Sequence, residues 1–413
     1  MADIEIPPYF LCPITLEMMK DPVTVSTGMT FDRCSIEKWM FTHNNNTCPI
    51  TKQILSDSEL TPNITLRRLM QSWCTLHSSN GFQRLPTPRS PVSKSEVLKL
   101  LKDAAHPQLQ MNCLRRLKSI ASENQTNKKC MEAVGTADFL ASLIVNRTLE
   151  ALRADHSDSE DKSESKSICE EALSILHSLH LSESWLESVT SQELVESLTD
   201  MMQFGSYESR AYAISLLESI LEVAGSGRII INLSSEIFVQ CAQILNDEFS
   251  KKATKSTLEL MINVCPWGRN RIKAVEAGMV PLLVDLLLDS SDKRASEMML
   301  VVLDILCQCA EGRAELLDHS AGIAIVSKKI LRISQVASEQ AVKILHSISK
   351  FSATPGVLQE MLQIGVVAKL CLVLQVDCGS KIKERTREML RLHARAWRNP
   401  SCIPHHLICA YPT

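Results

Sequence analysis

The same four residues occur twice near the start of the chain, as Cys12-Pro13-Ile14-Thr15 and again as Cys48-Pro49-Ile50-Thr51. A zinc-binding cross-brace domain puts Cys-x-x-Cys at two such places, because tetrahedral zinc takes paired thiolates at that spacing. Thr15 and Thr51 stand where the second thiolates would be, and a hydroxyl makes hydrogen bonds without serving as a zinc ligand. The layout keeps the paired loops and drops the metal. Cys12, Cys34, Cys48 and His43 remain, too few and too scattered for two zinc sites. One improvised site from those four is the alternative to the role of buried small thiols, which cysteine more commonly takes. The expectation is no metal and no cofactor.

The residues between the loops carry their own local signals. Val23-Thr24-Val25 and Thr30-Phe31 are β-prone runs around Ser26-Thr27-Gly28, which predicts a short hairpin. Asp32 is placed to cap a helix with Ile36, Trp39 and Met40 on one face. Thr65 is placed to cap a second helix carrying Leu66, Leu69, Met70 and Trp73. A unit of about 70 residues without a metal has to be held by a small apolar core and polar networks. Glu17, Asp21, Asp32, Arg33, Asn63 and Arg67 are the candidates for those networks, with an exposed charge set of little energetic worth as the plainer alternative.

The rest of the chain follows a different pattern. Ser78-Ser79-Asn80-Gly81 and Leu85-Pro86-Thr87-Pro88-Arg89-Ser90-Pro91 disfavour regular structure and predict a linker. Thr61, Thr87 and Ser90 each precede proline, a phosphorylation context in which added charge would alter pairing or turnover, although Ser/Thr-Pro pairs are common in linkers anyway. From Ser95 onward amphipathic helices succeed one another. Similar runs start near Gln192, Glu236, Gly278, Gly322 and Gly365, at roughly 43-residue intervals, the period of armadillo or HEAT repeats. An earlier, more distant copy begins near Phe139. Repeats of this kind bury their apolar stripes against their neighbours and leave a groove suited to gripping a protein.

The expected layout is a first domain over 5–78, a linker over 79–94, a repeat region over 95–398 and a tail over 399–413. A Ser, Asp, Glu and Lys mixture at about 153–167 has no apolar period and is expected to be a disordered insertion. Lys381 to Arg398 is expected to be one basic amphipathic helix, either the polar cap that ends a solenoid or an attractor of anionic lipid.

Composition narrows the function classes. Aromatic residues make up only 4% of 413, against 45% hydrophobic, which favours helix packed on helix, and a net charge of −3 gives no reason to expect nucleic acid. The 15 cysteines are spread without the close pairing of a secreted disulfide framework. The first five residues are acidic with no signal-like apolar core, and the longest apolar run, Met298 to Ala310, is broken by Asp304 and Gln308 and too short to span a bilayer. A cytoplasmic protein is expected.

The first 76 residues resemble the U-box, the zinc-free relative of the RING domain found in ubiquitin ligases. The resemblance is carried by Pro7 to Thr15, Asp21-Pro22-Val23, Gly28 to Arg33, Ile36-Glu37-Lys38-Trp39, Cys48 to Thr51, Leu60 to Asn63, Leu66 to Leu69 and Gln71-Ser72-Trp73. So many ordered elements at the right separations are far more specific than any one short motif. With the helical region behind it, the chain is similar to plant U-box proteins with armadillo repeats. The fold class implied is mainly α: a small α+β U-box, RING-like and zinc-free, followed by an α-solenoid of armadillo-type repeats.

The resemblance implies that the U-box docks a ubiquitin-conjugating enzyme charged with ubiquitin and forms no covalent bond itself. Ile14 and Pro49 in the twin loops and Trp39 between them are the implied docking residues, although Trp39 is equally a core candidate. Lys52 occupies the position at which RING relatives use a basic residue to orient ubiquitin. Many members carry Arg there, whose planar fork bridges two carbonyls, whereas Lys offers a single flexible ammonium. Cys12, Asp21, Asp32, Arg33, Cys48 and Asn63 are the structural set. The implied partners are a conjugating enzyme, ubiquitin and a target protein on the repeats, in stress or immune signalling. Some U-boxes dimerise, which leaves a homo-oligomer open, though no coiled-coil heptads force one. Two other classes remain: a non-catalytic armadillo scaffold, and a covalent ligase using Cys265, Cys307, Cys309 or Cys371. Those cysteines lie in apolar helical runs, where a thiol is usually inert.

Overall fold

The computed structural model describes residues 6–42, 45–55, 60–78, 92–153, 159–225 and 227–397, with the side chains of 41, 42, 151–153 and 159–162 excepted. Contacts divide the chain into two units, 1–139 with 178–180, and the remainder.

In the first unit the predicted hairpin is present. Strand β1 (Pro22–Thr24) pairs antiparallel with β2 (Thr30–Asp32), Val23 opposite Phe31, and β3 (Thr61–Pro62) adds to the other edge of β1. The turn needs Gly28, whose φ of +80° strains any residue with a Cβ. Helix α1 (Arg33–Glu37) runs straight into a π-helical turn, Lys38–Thr42, and α2 (Ile64–Leu76) closes the domain. Phe10, Cys12, Val23, Phe31, Ile36, Cys48 and Met70 are almost fully buried in one cluster, with Ile14, Trp39, Leu66 and Trp73 packed against it.

Both predicted helix caps are corrected. Asp32 precedes α1 but caps nothing: its Oδ1 accepts the N–H groups of Lys20 at 2.7 Å and Asp21 at 2.9 Å, which ties down the backbone entering β1. Helix α2 begins one residue before Thr65, and its cap is Asn63, whose Oδ1 accepts the Leu66 N–H at 3.0 Å. The Asn63 amide also donates to the hydroxyls of Thr24 and Thr30, at 3.4 and 3.3 Å, so one side chain fixes both the helix start and the hairpin.

Helix α3 (Lys94–Ala104) starts one residue before the expected repeat boundary, because the Ser93 hydroxyl accepts the Glu96 N–H at 3.2 Å. It packs on α4 (Pro107–Glu123), which packs on α5 (Gln125–Ala133). Then come α6 (Thr136–Arg153) and α7 (Ser159–Ser178). The insertion expected at about 153–167 is corrected in its second half: 159–167 are the first turns of α7, while 154–158 lie outside the described residues. Ile168, Ala172, Leu173, Ile175 and Leu176 bury the far end of α7. Once that end is anchored, Glu and Lys extend the helix on propensity alone, without an apolar face.

The remaining helices of the second unit are α8 (Glu183–Val189), α9 (Gln192–Phe204), α10 (Tyr207–Ala224), α11 (Arg228–Ile231), α12 (Ser235–Asp247), α13 (Lys251–Val264), α14 (Asn270–Glu276), α15 (Met279–Asp289), α16 (Lys293–Leu306), α17 (Ala310–Asp318), α18 (Gly322–Lys329), α19 (Gln335–Phe351), α20 (Pro355–Gln363), α21 (Val366–Gln375) and α22 (Ser380–Leu392). The longest helix of each group packs on its successor, in the order α10, α13, α16, α19, α22, as the 43-residue period requires. The basic C-terminal helix is shorter than expected. It stops at Leu392, and the chain turns so that Trp397, almost fully buried, donates its Nε1–H to the Leu358 carbonyl at 3.1 Å. Asn399 and Pro400 lie outside the described residues. No single described helix is long and apolar enough to cross a membrane, although α20 and α21, bent by 65°, reach that composition as a pair.

Candidate functional site

The twin tetrads fold alike. Leu11 bridges to Met18, and Thr47 to Ile54. Within the first loop the Cys12 N–H donates to the Glu17 carbonyl at 2.8 Å and the Leu16 N–H to the Cys12 carbonyl at 2.8 Å. The second repeats this, Cys48 to Gln53 at 2.8 Å and Lys52 to Cys48 at 3.0 Å. Leu16 and Lys52, one past each tetrad, both adopt the left-handed conformation, at φ 59° and 58°. Glu17 enters the network through its backbone, and its side chain is exposed.

The two sulfurs sit in hydrogen-bond donors. Burial pushes the Cys12 thiol up, but the N–H groups of Asp32, Thr15 and Ile14 and the Thr15 hydroxyl together hold it below the usual thiol range. Burial likewise raises Cys48, and the polar groups around it, those of Thr51 foremost, outweigh it and leave the thiol below its usual range. Thr15 and Thr51 thus stand beside the two sulfurs where second thiolates would be, and the Asp32 N–H donates to Cys12 Sγ at 3.4 Å. No group of three or more His, Cys, Asp or Glu among the described residues is arranged to hold a metal ion. Cys34 is exposed, whereas Cys12 and Cys48 are buried, and His43 lies outside the described residues.

The charged network runs through the domain's interior. Arg33, 9% exposed, donates from Nε to Asp21 Oδ2 at 2.6 Å, and Arg67 Nη1 lies 3.9 Å from the other Asp21 oxygen. Backbone bonds run alongside it, the Arg33 N–H to the Asp21 carbonyl at 2.9 Å. Arg33 is buried, while Asp21 and Arg67 are half-buried.

The docking candidates lie at the edge of this network. Ile14 and Pro49 are half-buried, one in each loop, and the half-buried Trp39 is pinned to the second loop by its Nε1–H, 2.8 Å from the Thr47 carbonyl. The Lys52 ammonium lies 5.8 Å above the Trp39 ring, within cation–π range. Trp39 therefore packs on the core and also shows a face beside the basic residue. Leu16, Ile50 and Ile54, at 74%, 48% and 78% exposure, widen the apolar surface of the same two loops. Sequence reading missed these three, because a loop has no period from which to assign an exposed face. Thr61 is exposed on β3, whereas Thr87 and Ser90 lie outside the described residues.

None of Cys265, Cys307, Cys309 and Cys371 is an activated nucleophile. Burial drives Cys265 and Cys307 far above the usual thiol range and also raises Cys309 and Cys371.

Comparison with known proteins agrees with this geometry. The family described as "U-box domain" matches residues 6–79, and "Plant U-box protein ARM repeat region" matches 96–413. E3 ubiquitin-protein ligase PUB23 of Arabidopsis thaliana is 53% identical over 99% of this chain and 98% of its own length; PUB22, of the same organism and description, is 52% identical over 99% of each. PUB24, also named an E3 ubiquitin-protein ligase, is 35% identical over 97% of this chain and 95% of its own. Among solved structures, a chain from a study of the interaction between cadherin and beta-catenin superposes with a TM-score of 0.54, covering 82% of this chain and 58% of that one at 13% identity, a likeness of fold alone. Matched from end to end, the chain belongs to the plant U-box proteins that carry an armadillo-repeat region.

Proposed function

We propose that the chain is an E3 ubiquitin ligase of the U-box class, which brings a ubiquitin-charged conjugating enzyme to a protein held by its repeats. The observation that carries this reading is end-to-end identity above one half with two relatives named as such ligases. Ile14, Trp39 and Pro49 form the docking patch, extended by the exposed Leu16 and Ile50. The bond that forms is an isopeptide between the ubiquitin C-terminus and a target lysine, and the bond that breaks is the thioester on the conjugating enzyme. The U-box contributes orientation, which lowers the barrier by holding the thioester ready for attack. Lys52 offers its ammonium as a donor at the contact between ubiquitin and the enzyme, and the Trp39 ring beneath it limits where that ammonium points.

A scaffold without ligase activity would have no use for exposed apolar side chains on two matched loops. Action in the cytoplasm, a place in stress or immune signalling, phosphorylation at Thr61, Thr87 or Ser90, and self-association belong to the same proposal and rest on family likeness and sequence context. The test is ubiquitin chain formation by purified protein with activating enzyme, ubiquitin and a panel of conjugating enzymes. Wild type is expected to form chains with at least one of them, and Trp39→Ala to lose about tenfold or more in rate, as truncation of a docking hot spot does. A fully active Trp39→Ala protein would remove the docking patch from the account.

A further inference from the structure

We infer that Glu37 is a positioning residue, which fixes the U-box on the first turn of α5 and so aims the ubiquitin that the U-box delivers. The inference rests on the ligase reading for its functional assay. Glu37 ends α1 and is 2% exposed. Its carboxylate accepts the backbone N–H of Gln125 at 3.1 Å and the Thr126 hydroxyl at 2.8 Å, and Arg33 Nη1 lies 3.8 Å away. Gln125 and Thr126 are the first two residues of α5, where helical amides have no partner of their own and the dipole favours a negative charge.

Both sides of this bond are themselves held. On the U-box side, Arg33 continues to Asp21, which Arg67 of α2 approaches in turn. On the repeat side, the α5 cap Asn124 takes the Asn127 N–H at 2.7 Å. Fully buried Asn127 then holds the Ile120 carbonyl at 3.1 Å and the Val92 N–H at 3.0 Å. A line of polar bonds therefore runs from α2 through α1 to the start of α5. The surfaces on either side do not close on each other: Lys20, Cys34 and Lys38 face Ser119, Glu123 and Lys128 across a cleft of about 650 Å³. A junction this open takes its orientation from the few bonds that cross it. Without them the U-box loses its fixed bearing on α5, and a delivered group held less firmly is spread over more acceptors at lower effective concentration.

The test leaves the U-box sequence untouched. Gln125→Pro deletes the N–H at a helix position that accepts proline, together with the side-chain bond of Gln125 to His180, for which Gln125→Ala is the control, and Thr126→Val deletes the hydroxyl at constant shape. In the full chain with an active conjugating enzyme, two quantities are read: discharge of ubiquitin to free lysine, and the distribution of self-modified lysines by mass spectrometry. The double variant is expected to discharge to free lysine as wild type does. Its modified lysines are expected to spread, with the dominant site's share falling about threefold or more as effective concentration drops. Glu37→Ala should give the same spread from the other side, and Thr126→Ser, which keeps the hydroxyl, should retain the wild-type pattern. An unchanged distribution in both the double variant and Glu37→Ala overturns the inference. Loss of discharge in the double variant also overturns it, since the bond would then serve U-box activity and not its aim. Wild type inactive with every conjugating enzyme counts against the ligase reading instead. Hydrogen exchange then decides alone, with faster exchange in α1 and the first turn of α5 of the double variant expected and unchanged protection overturning the inference.

Discussion

In the U-box, two loops, two sulfurs and one Asp–Arg network organise about 70 residues, so a few polar atoms decide whether the domain exists. From Lys94 onward most helices instead bury apolar side chains, chiefly Leu, Val and Ile, against their neighbours, and the load is shared along the array. The first region is specific and brittle, the second periodic and tolerant. That division suits a protein whose U-box has to present one fixed surface while its repeats are free to vary the face they offer a target.

The largest expected effect tests the brittleness. Arg33→Ala leaves Asp21 and Glu37 without their buried guanidinium and is expected to cost the U-box about 3 kcal/mol or more, while the repeats melt where they do in wild type. Calorimetry of the full chain would resolve the two transitions; a common shift of both would mean that the regions are not independent in this way.

How much of this was legible follows the same division. The loops were legible because Cys-x-x-Thr twice at fixed separation leaves few geometries, and the two loops do share one backbone hydrogen-bond pattern and one left-handed residue after each tetrad. The repeats were legible because a 43-residue period dictates helix on helix. What escaped depends on partners distant in sequence. Asn63 outcompetes Thr65 as a cap because the hairpin brings Thr24 and Thr30 to its amide. Asp32 is spent on the backbone before β1. Glu37 looked like one more polar residue in a motif, since its partners lie 88 and 89 positions away.

A smaller effect bears on activity. Lys52→Arg is expected to raise discharge from a charged conjugating enzyme about threefold, because a planar fork loses less freedom per bond than an ammonium. Lys52→Ala should lower discharge by a similar factor. Equal rates for all three would take Lys52 out of the orienting role.

The smallest effect belongs to the repeats and depends on pH. Burial, then Glu222 and Glu259 nearby, raises Glu218 from 4.5 to about 7; burial raises Asp304 from 3.8 to about 6, partly opposed by Lys343 and Arg385. A carboxyl whose folded value is raised contributes stability that is fully present below its unfolded value and lost as pH rises through the folded one. Glu218→Gln and Asp304→Asn should therefore each raise the melting temperature of the repeats by about 1 to 3 °C at pH 8. That difference should close on acidification below their unfolded values near 4. A gain that persisted at low pH would point to packing and not to charge.

The central claim is that matched backbone hydrogen bonds and buried thiols hold the two loops where a relative would keep zinc, and the most direct measurement is chain formation by wild-type protein before and after exhaustive chelation, with metal content determined on the same sample. The account predicts undiminished activity and no stoichiometric zinc. Activity lost on chelation and restored by zinc would contradict it, and would turn Cys12 and Cys48 from buried thiols into ligands.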